Sequence, residues 1–260
     1  MRERGALFVQ PHYDDVALSC GGIAAALARA EMQSHIVTVF ASEIVPEMVG
    51  DFAAWKHGRW GIEDIDEVVA TRREEDAQAT AVLGCSARWL GLPDAIYRIG
   101  RYTEDAELYG LLDAEEHALA IHLAEEVVGL PEWREGLRVF VPLGVGSHVD
   151  HQLAFEAGAQ LAKRGVEVWA YEDLPYGIHT PEALTRRLVE LQGRIGGEVA
   201  VPIADTLEAK LDAIARYRTQ LPVIFRFTDD WRGAVAAHAL SAGGGVPAER
   251  VWRVQELFAE

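Results

Sequence analysis

Short β-branched apolar runs alternate with longer Ala- and Leu-rich stretches along most of this chain. That alternation restricts the fold more than any other feature. Residues 6–10 (ALFVQ) form an apolar run ended by Pro11, which predicts a buried strand. Residues 16–29 read as a helix and 35–41 (HIVTVFA) as a second strand. A helix over 63–83, stopped by Gly84, leads to a third strand over 87–90. Residues 113–128 form a helix with an apolar stripe through Ala120, Ile121, Ala124 and Val128, followed by a strand at 137–142 (LRVFVP). A helix over 150–164, a strand over 166–171 (VEVWAY), and helices over 181–191 and 206–221 continue the pattern. A glycine-rich turn at 241–247 precedes a last strand over 251–254. The irregular, Trp- and Gly-containing stretch 44–62 is expected to be a loop or lid. No repeat or linker interrupts the order, so one domain over 1–260 is expected.

Strands alternating with helices imply an α/β fold with a mostly parallel sheet and helices on both faces. Ligands on such sheets bind beyond the carboxyl ends of strands. Composition narrows the function. The formal charge of −17 opposes a nucleic-acid binder, which needs a basic face to displace phosphate counterions. Two cysteines, Cys20 and Cys85, cannot build a disulfide framework and fit a reducing compartment. The first apolar run is too short for a signal peptide, and no stretch approaches the roughly 20 apolar residues of a membrane span. The expectation is a soluble cytoplasmic protein, with assembly into a homo-oligomer left open.

Two strand ends carry polar clusters in apolar surroundings: His12-Tyr13-Asp14-Asp15 and Ser147-His148-Val149-Asp150-His151. Charges there are costly unless paired or bound to something. His, Asp and His form a common ligand set for a catalytic zinc with one position left for water. Asp14-Asp15 leaves a second carboxylate for proton transfer, and a divalent cation relieves the repulsion between the two. An Asp pair before a helix is also an ordinary N-cap; it is the two clusters together that favour a metal site. There is no His-Glu-x-x-His, Walker lysine or Gly-x-Ser-x-Gly motif.

PHYDDVALSCGG at 11–22 and PLGVGSHVDH at 142–151 resemble the LmbE-like, or PIG-L, family of zinc-dependent N-acetylglucosaminyl deacetylases. That family commonly reads Ala-His-Pro-Asp-Asp-Glu and His-x-Asp-His at these places. Arg72-x-x-Glu75, LGLPDAIYR at 90–98, YEDLPY at 171–176, and Lys210 with Tyr217 add weaker likenesses. The resemblance implies a Rossmann-like α/β fold and removal of an acetyl group from an N-acetylated amino sugar by activated water. It implies that His12, Asp15 and His151 hold Zn2+, with another divalent ion such as Fe2+ as the alternative. Asp14 would be the general base. His148 would donate to, or stabilise, the tetrahedral species, with either His148 or protonated Asp14 delivering the proton to nitrogen, and Asp150 would hold His148 and favour its protonated form. Tyr13 and Val16 stand where the family usually has Pro and Glu.

Arg72 and Asp94 are the best candidates for sugar hydroxyls, with Tyr176 and Lys210 behind them; the other reading of Arg72 is a pair with Glu75 on an exposed helix. Trp55 and Trp60 are candidates either for a lid that stacks on a sugar ring or for a packed loop or subunit contact. Cys20 reads as a small buried residue, and His117 and His122 as structural or surface histidines. Two other readings remain open: an amidase on another amide such as a thiol conjugate, and a non-catalytic metal- or carbohydrate-binding relative.

Overall fold

The structure is a computed structural model that describes residues 5–62 and 64–255. Its strands are β1 (Ala6–Gln10), β2 (Ser34–Thr38), β3 (Ser86–Trp89), β4 (Arg138–Pro142), β5 (Glu167–Tyr171), β6 (Ile195–Pro202) and β7 (Ala248–Val254). Among the described residues they form one sheet in the order β3-β2-β1-β4-β5-β7-β6. The pairings from β3 to β5 are parallel. β7 runs antiparallel to both β5 and β6. The helices are α1 (Asp15–Arg29), α2 (Asp51–Trp60), α3 (Ile65–Val82), α4 (Asp105–Leu108), α5 (Ala114–Val128), α6 (Val149–Lys163), α7 (Tyr176–His179), α8 (Pro181–Glu190), α9 (Leu207–Ile214), α10 (Leu221–Ile224) and α11 (Trp231–Ala242). The expected mostly parallel α/β architecture is what the chain adopts.

Side-chain alternation along β1 builds the two cores. Leu7 and Val9 join Val37, Val139 and Val141 in an apolar cluster that includes residues of α5 and α6. Ala6 and Phe8 point the other way, toward a cluster with Ile36, Phe140 and residues of α1 and α9. Phe8 stacks on Phe140 with ring centroids 4.6 Å apart. Burial on both faces explains why β1 and β4 read as continuous apolar runs. On α5, Ala120, Leu123, Ala124 and Val127 are the buried apolar face, and Ile121, expected in the stripe, is exposed.

Three expectations change. The stretch 44–62 is not a loop throughout: it holds a 3₁₀ turn at Pro46–Met48 and all of α2. Gly61, at φ 72°, ends α2 in the left-handed conformation. The helix expected over 206–221 stops at Ile214. β6 and α11 were not expected. The residue Glu63, where the helix over 63–83 was expected to begin, lies outside the described residues.

The chain leaves β1 for β2 on one side and takes up β4 on the other. This order reversal opens a crevice at the carboxyl ends of β1 and β4. Both polar clusters sit there. No helix among the described residues is long and apolar enough to cross a membrane.

Candidate active site

The turn after β1 and the loop after β4 bring His12, Asp15 and His151 together. One ligand atom from each lies within 4.8 Å of the others. His12 Nδ1 is 3.6 Å from Asp15 Oδ2, and His151 Nε2 is 3.5 Å from Asp15 Oδ1. The far nitrogen of each ring is held by another carboxylate. Asp150 Oδ2 lies 3.0 Å from His12 Nε2, and Asp173 Oδ1 lies 2.6 Å from His151 Nδ1. A carboxylate behind an imidazole fixes its orientation and raises its basicity as a ligand. Both rings thus turn their free nitrogens toward Asp15. A second donor set, His12 with His148 and Asp150, lies within the same span. There Asp150 is already engaged by the guanidinium of Arg98 and by the Ala95 amide at 3.0 Å.

The β4–α6 loop is shaped by left-handed residues: Gly144 at φ 84°, Gly146 at 87° and Ser147 at 65°. Ser147 is not a glycine, so its conformation is a local strain held by its surroundings. Gln152 Nε2 donates to the Ser147 carbonyl at 2.7 Å. A Cβ on Gly146 would meet the Tyr176 ring at 2.6 Å, so only glycine lets that ring lie over the loop. Asp173 Oδ2 accepts from the Gly144 and Val145 amides at 2.8 and 2.9 Å. The group that orients His151 therefore also anchors the loop that carries it.

The electrostatics follow from burial and crowding. Burial and the neighbouring Asp15 charge raise Asp14 to about 6. Burial alone pulls His12 down, but Asp94, the Asp150 hydrogen bond and Asp15 outweigh it and raise His12 to about 9. His151 is likewise raised against its burial by Asp15 and Asp173. The pocket therefore attracts positive charge at the point where the imidazoles converge. His148 goes the other way: burial, and then the positive His12, push it well below its usual value.

That finding revises the expected role of Asp150. Its carboxylate faces His12 and Arg98, and it touches His148 only through its backbone amide, which donates to Nδ1 at 3.2 Å. Arg98 holds the Asp150 carboxyl well below the usual range, against the effect of burial. His148 is accordingly neutral rather than protonated, with its proton on Nε2.

A cavity of about 180 Å³ opens over these residues. Asp14, Arg72, Asp94, Tyr176 and Trp60 line it, together with Tyr109 and Lys56. Arg72 lies between the rings of Tyr13 and Trp60, 5.1 and 4.9 Å from their centroids. Its Nε is buried without a hydrogen-bond partner. Asp94 caps a short 3₁₀ turn through the Ile96 amide and stands 3.6 Å from His12 Nε2. Trp55 is exposed and stacks on Phe52 rather than lining the cavity.

Lys210 departs from expectation: it is not in the cavity lining. It is buried beneath α1, 2.6 Å from Glu249, because an amine there needs a carboxylate partner. Cys20 is buried, as expected, and His117 and His122 are exposed. Sequence reasoning did not single out Asp173 or Arg98. Both lie inside segments already noted, YEDLPY and LGLPDAIYR, but nothing in the sequence tells which of their polar residues points inward.

Known proteins resemble this chain in both sequence and fold. The PIG-L family, described as GlcNAc-PI de-N-acetylase, matches residues 7–162. The chain is 28% identical over 268 residues to a 2'-N-acetylparomamine deacetylase of Niallia circulans, covering 98% of this chain and 92% of that one. It is 31% identical over 285 residues to a 2'-N-acetylparomamine deacetylase of Streptomyces fradiae, covering 97% and 90%. It shares its fold with the solved structure of a deacetylase in the biosynthesis pathway of teicoplanin, at TM-score 0.82 and 25% identity over 96% of this chain and 97% of that one. The matched segment runs from β1 through α6 and so contains both histidine clusters: the chain belongs to the PIG-L family.

Proposed function

We propose that this protein is a metal-dependent hydrolase that removes the acetyl group from an N-acetylated amino sugar. The observation that carries the reading is the placement of Asp14. Its carboxyl, raised to about 6, stands in the cavity beside a His-Asp-His donor set and makes no hydrogen bond to the helix it precedes.

The donor chemistry fits a divalent ion. Two imidazole nitrogens and a carboxylate oxygen suit zinc, and iron is the alternative. His12, Asp15 and His151 would hold it, backed by Asp150 and Asp173. When bound, such an ion polarises a carbonyl oxygen and acidifies water.

The protein's own groups do the rest. Asp14 is ionised at neutral pH yet basic enough to accept a proton from the attacking water. The same group, once protonated, can pass that proton to the amide nitrogen before the C–N bond breaks. Neutral His148 offers its Nε2–H to the oxyanion that forms on the acetyl carbon. A neutral donor adds no positive charge beside a donor set that would already hold a cation. Arg72, Asp94 and Tyr176 are placed to bind sugar hydroxyls, and Trp60 offers a ring face. The names of both curated relatives describe deacetylation of an N-acetylated amino sugar, which supports the same substrate class here. Two free cysteines support a reducing, cytoplasmic setting.

The test is acetate release from a panel of N-acetylated amino sugars, with and without a chelator. Release that stops on chelation and returns with added zinc or iron is expected. No release from any member, with metal content verified, would overturn the reading.

A further inference from the structure

The aspartate before a helix normally turns its carboxylate onto the first free amides. Asp14 precedes α1 and does not do this. The Val16 amide is instead taken by Gln10 Oε1 at 3.0 Å. The other end of the Gln10 amide is fixed. Its Nε2 lies 3.0 Å from Asp76 Oδ1, 2.8 Å from Thr38 Oγ1 and 3.3 Å from the Tyr13 carbonyl. Asp76 is wholly buried and meets uncharged donors: Trp89 Nε1 at 2.7 Å, Tyr217 at 3.0 Å and Thr38 at 3.4 Å. No ion pair is recorded for it among the described residues.

This arrangement leaves Gln10 one orientation. Facing a carboxylate, it must present its NH₂, so its oxygen must face Val16. We propose that Gln10, oriented by the buried Asp76, caps helix α1 in place of Asp14 and so keeps the Asp14 carboxylate free in the cavity. Gln10 and Asp76 are positioning residues. They touch neither substrate nor the donor set and act through Asp14. The catalytic part of this inference rests on the deacetylase reading above.

Asp76→Asn is the sharpest test, because it is nearly isosteric. The indole of Trp89 can only donate, so the new amide oxygen must face it. The new NH₂ then faces Gln10, whose amide turns over and points its own NH₂ at the Val16 amide. The cap is lost, and the Asp14 carboxylate is expected to swing onto Val16. A crystal structure of the variant reads this directly. An Asp14 carboxylate within hydrogen-bond distance of the Val16 amide supports the proposal, and one still in its original place overturns it.

Kinetics supply the second readout, on whichever N-acetylated amino sugar the wild type turns over. With metal content unchanged, kcat should fall about 10-fold or more while KM stays within about 2-fold. Added to Asp14→Asn, the change should cost nothing further. Losses that multiply in the double variant would overturn the proposal. Gln10→Met removes both ends of the clamp and should give the same structural and kinetic result. If the wild type deacetylates nothing, the functional reading fails, and the position of Asp14 in the crystal still decides the capping.

Discussion

Two of the places where the molecule buries charge lie along α1, and they are built on opposite terms. Under the middle of the helix, where its backbone breaks at Cys20, every charge is answered. Glu249 accepts from Lys210 at 2.6 Å and from the Gly22 and Ile23 amides at 2.9 and 2.7 Å. Lys210 also donates to the Ser19 carbonyl at 3.2 Å. At the start of the same helix, charges face one another but leave hydrogen-bonding capacity open. Asp14 caps nothing, Arg72 Nε has no partner, and two imidazoles aim free nitrogens at one carboxylate. A buried charge by itself therefore marks no site. A buried polar group without a partner costs on the order of 1–3 kcal/mol, which is the sign of a place waiting for a ligand.

The contrast predicts which substitutions reach function and which reach only stability. The largest effect belongs to the donor set. His12→Ala, Asp15→Ala and His151→Ala should each strip the metal and abolish turnover, as elemental analysis and acetate release would show. Full metal occupancy in all three would move the ion elsewhere. Asp14→Asn comes next: it should keep the metal and lose on the order of 10²–10⁴-fold in kcat. In the wild type, activity should rise with pH as Asp14 ionises, because the ionised form is the base. An unchanged rate in the Asn variant would remove Asp14 from the chemistry.

On the paired side, Lys210→Met should act only on the fold. Leaving Glu249 buried and unpaired should cost about 3 kcal/mol in urea unfolding, with KM unaltered. A shift in KM at full stability would break the comparison. The smallest effect concerns Asp76, which burial raises to about 6. Its native value lies above its unfolded one, so the stability it contributes is complete below about pH 4 and is lost as pH rises through about 6. The urea midpoint of the wild type should therefore fall relative to that of Asp76→Asn across that window, and the offset between them should stay constant above it. A difference independent of pH would mean that Asp76 titrates normally.

β1, β2, β4 and β5 were legible because they are largely buried, which gives them near-continuous apolar runs; β3, at the parallel edge, is mostly exposed. β1 has the predicted bounds, and β4 and β5 each begin one residue later than expected. β6 was hidden for the same reason in reverse. Its sequence, IGGEVAVP, is largely exposed at the sheet edge and carries two glycines and a glutamate, so it lacks the apolar signature. α11 follows a polar turn and is Ala-rich, with only Val235 and Ala239 buried, so its pattern is weak. Lys210 misled because a lone basic residue in a helical pattern gives no sign of the partner that a distant strand supplies.

Local sequence sufficed for the strand–helix alternation, for the His-x-Asp-Asp and His-x-Asp-His groups at strand ends, and hence for the family. These are short-range properties of residue type and spacing. The tertiary structure alone decided that Asp150 backs His12, that Asp173 backs His151, and that Gln10 reaches over the turn to Val16. Partners 138 or 22 residues apart are chosen by sheet order and loop geometry, neither of which is written in any local stretch of chain.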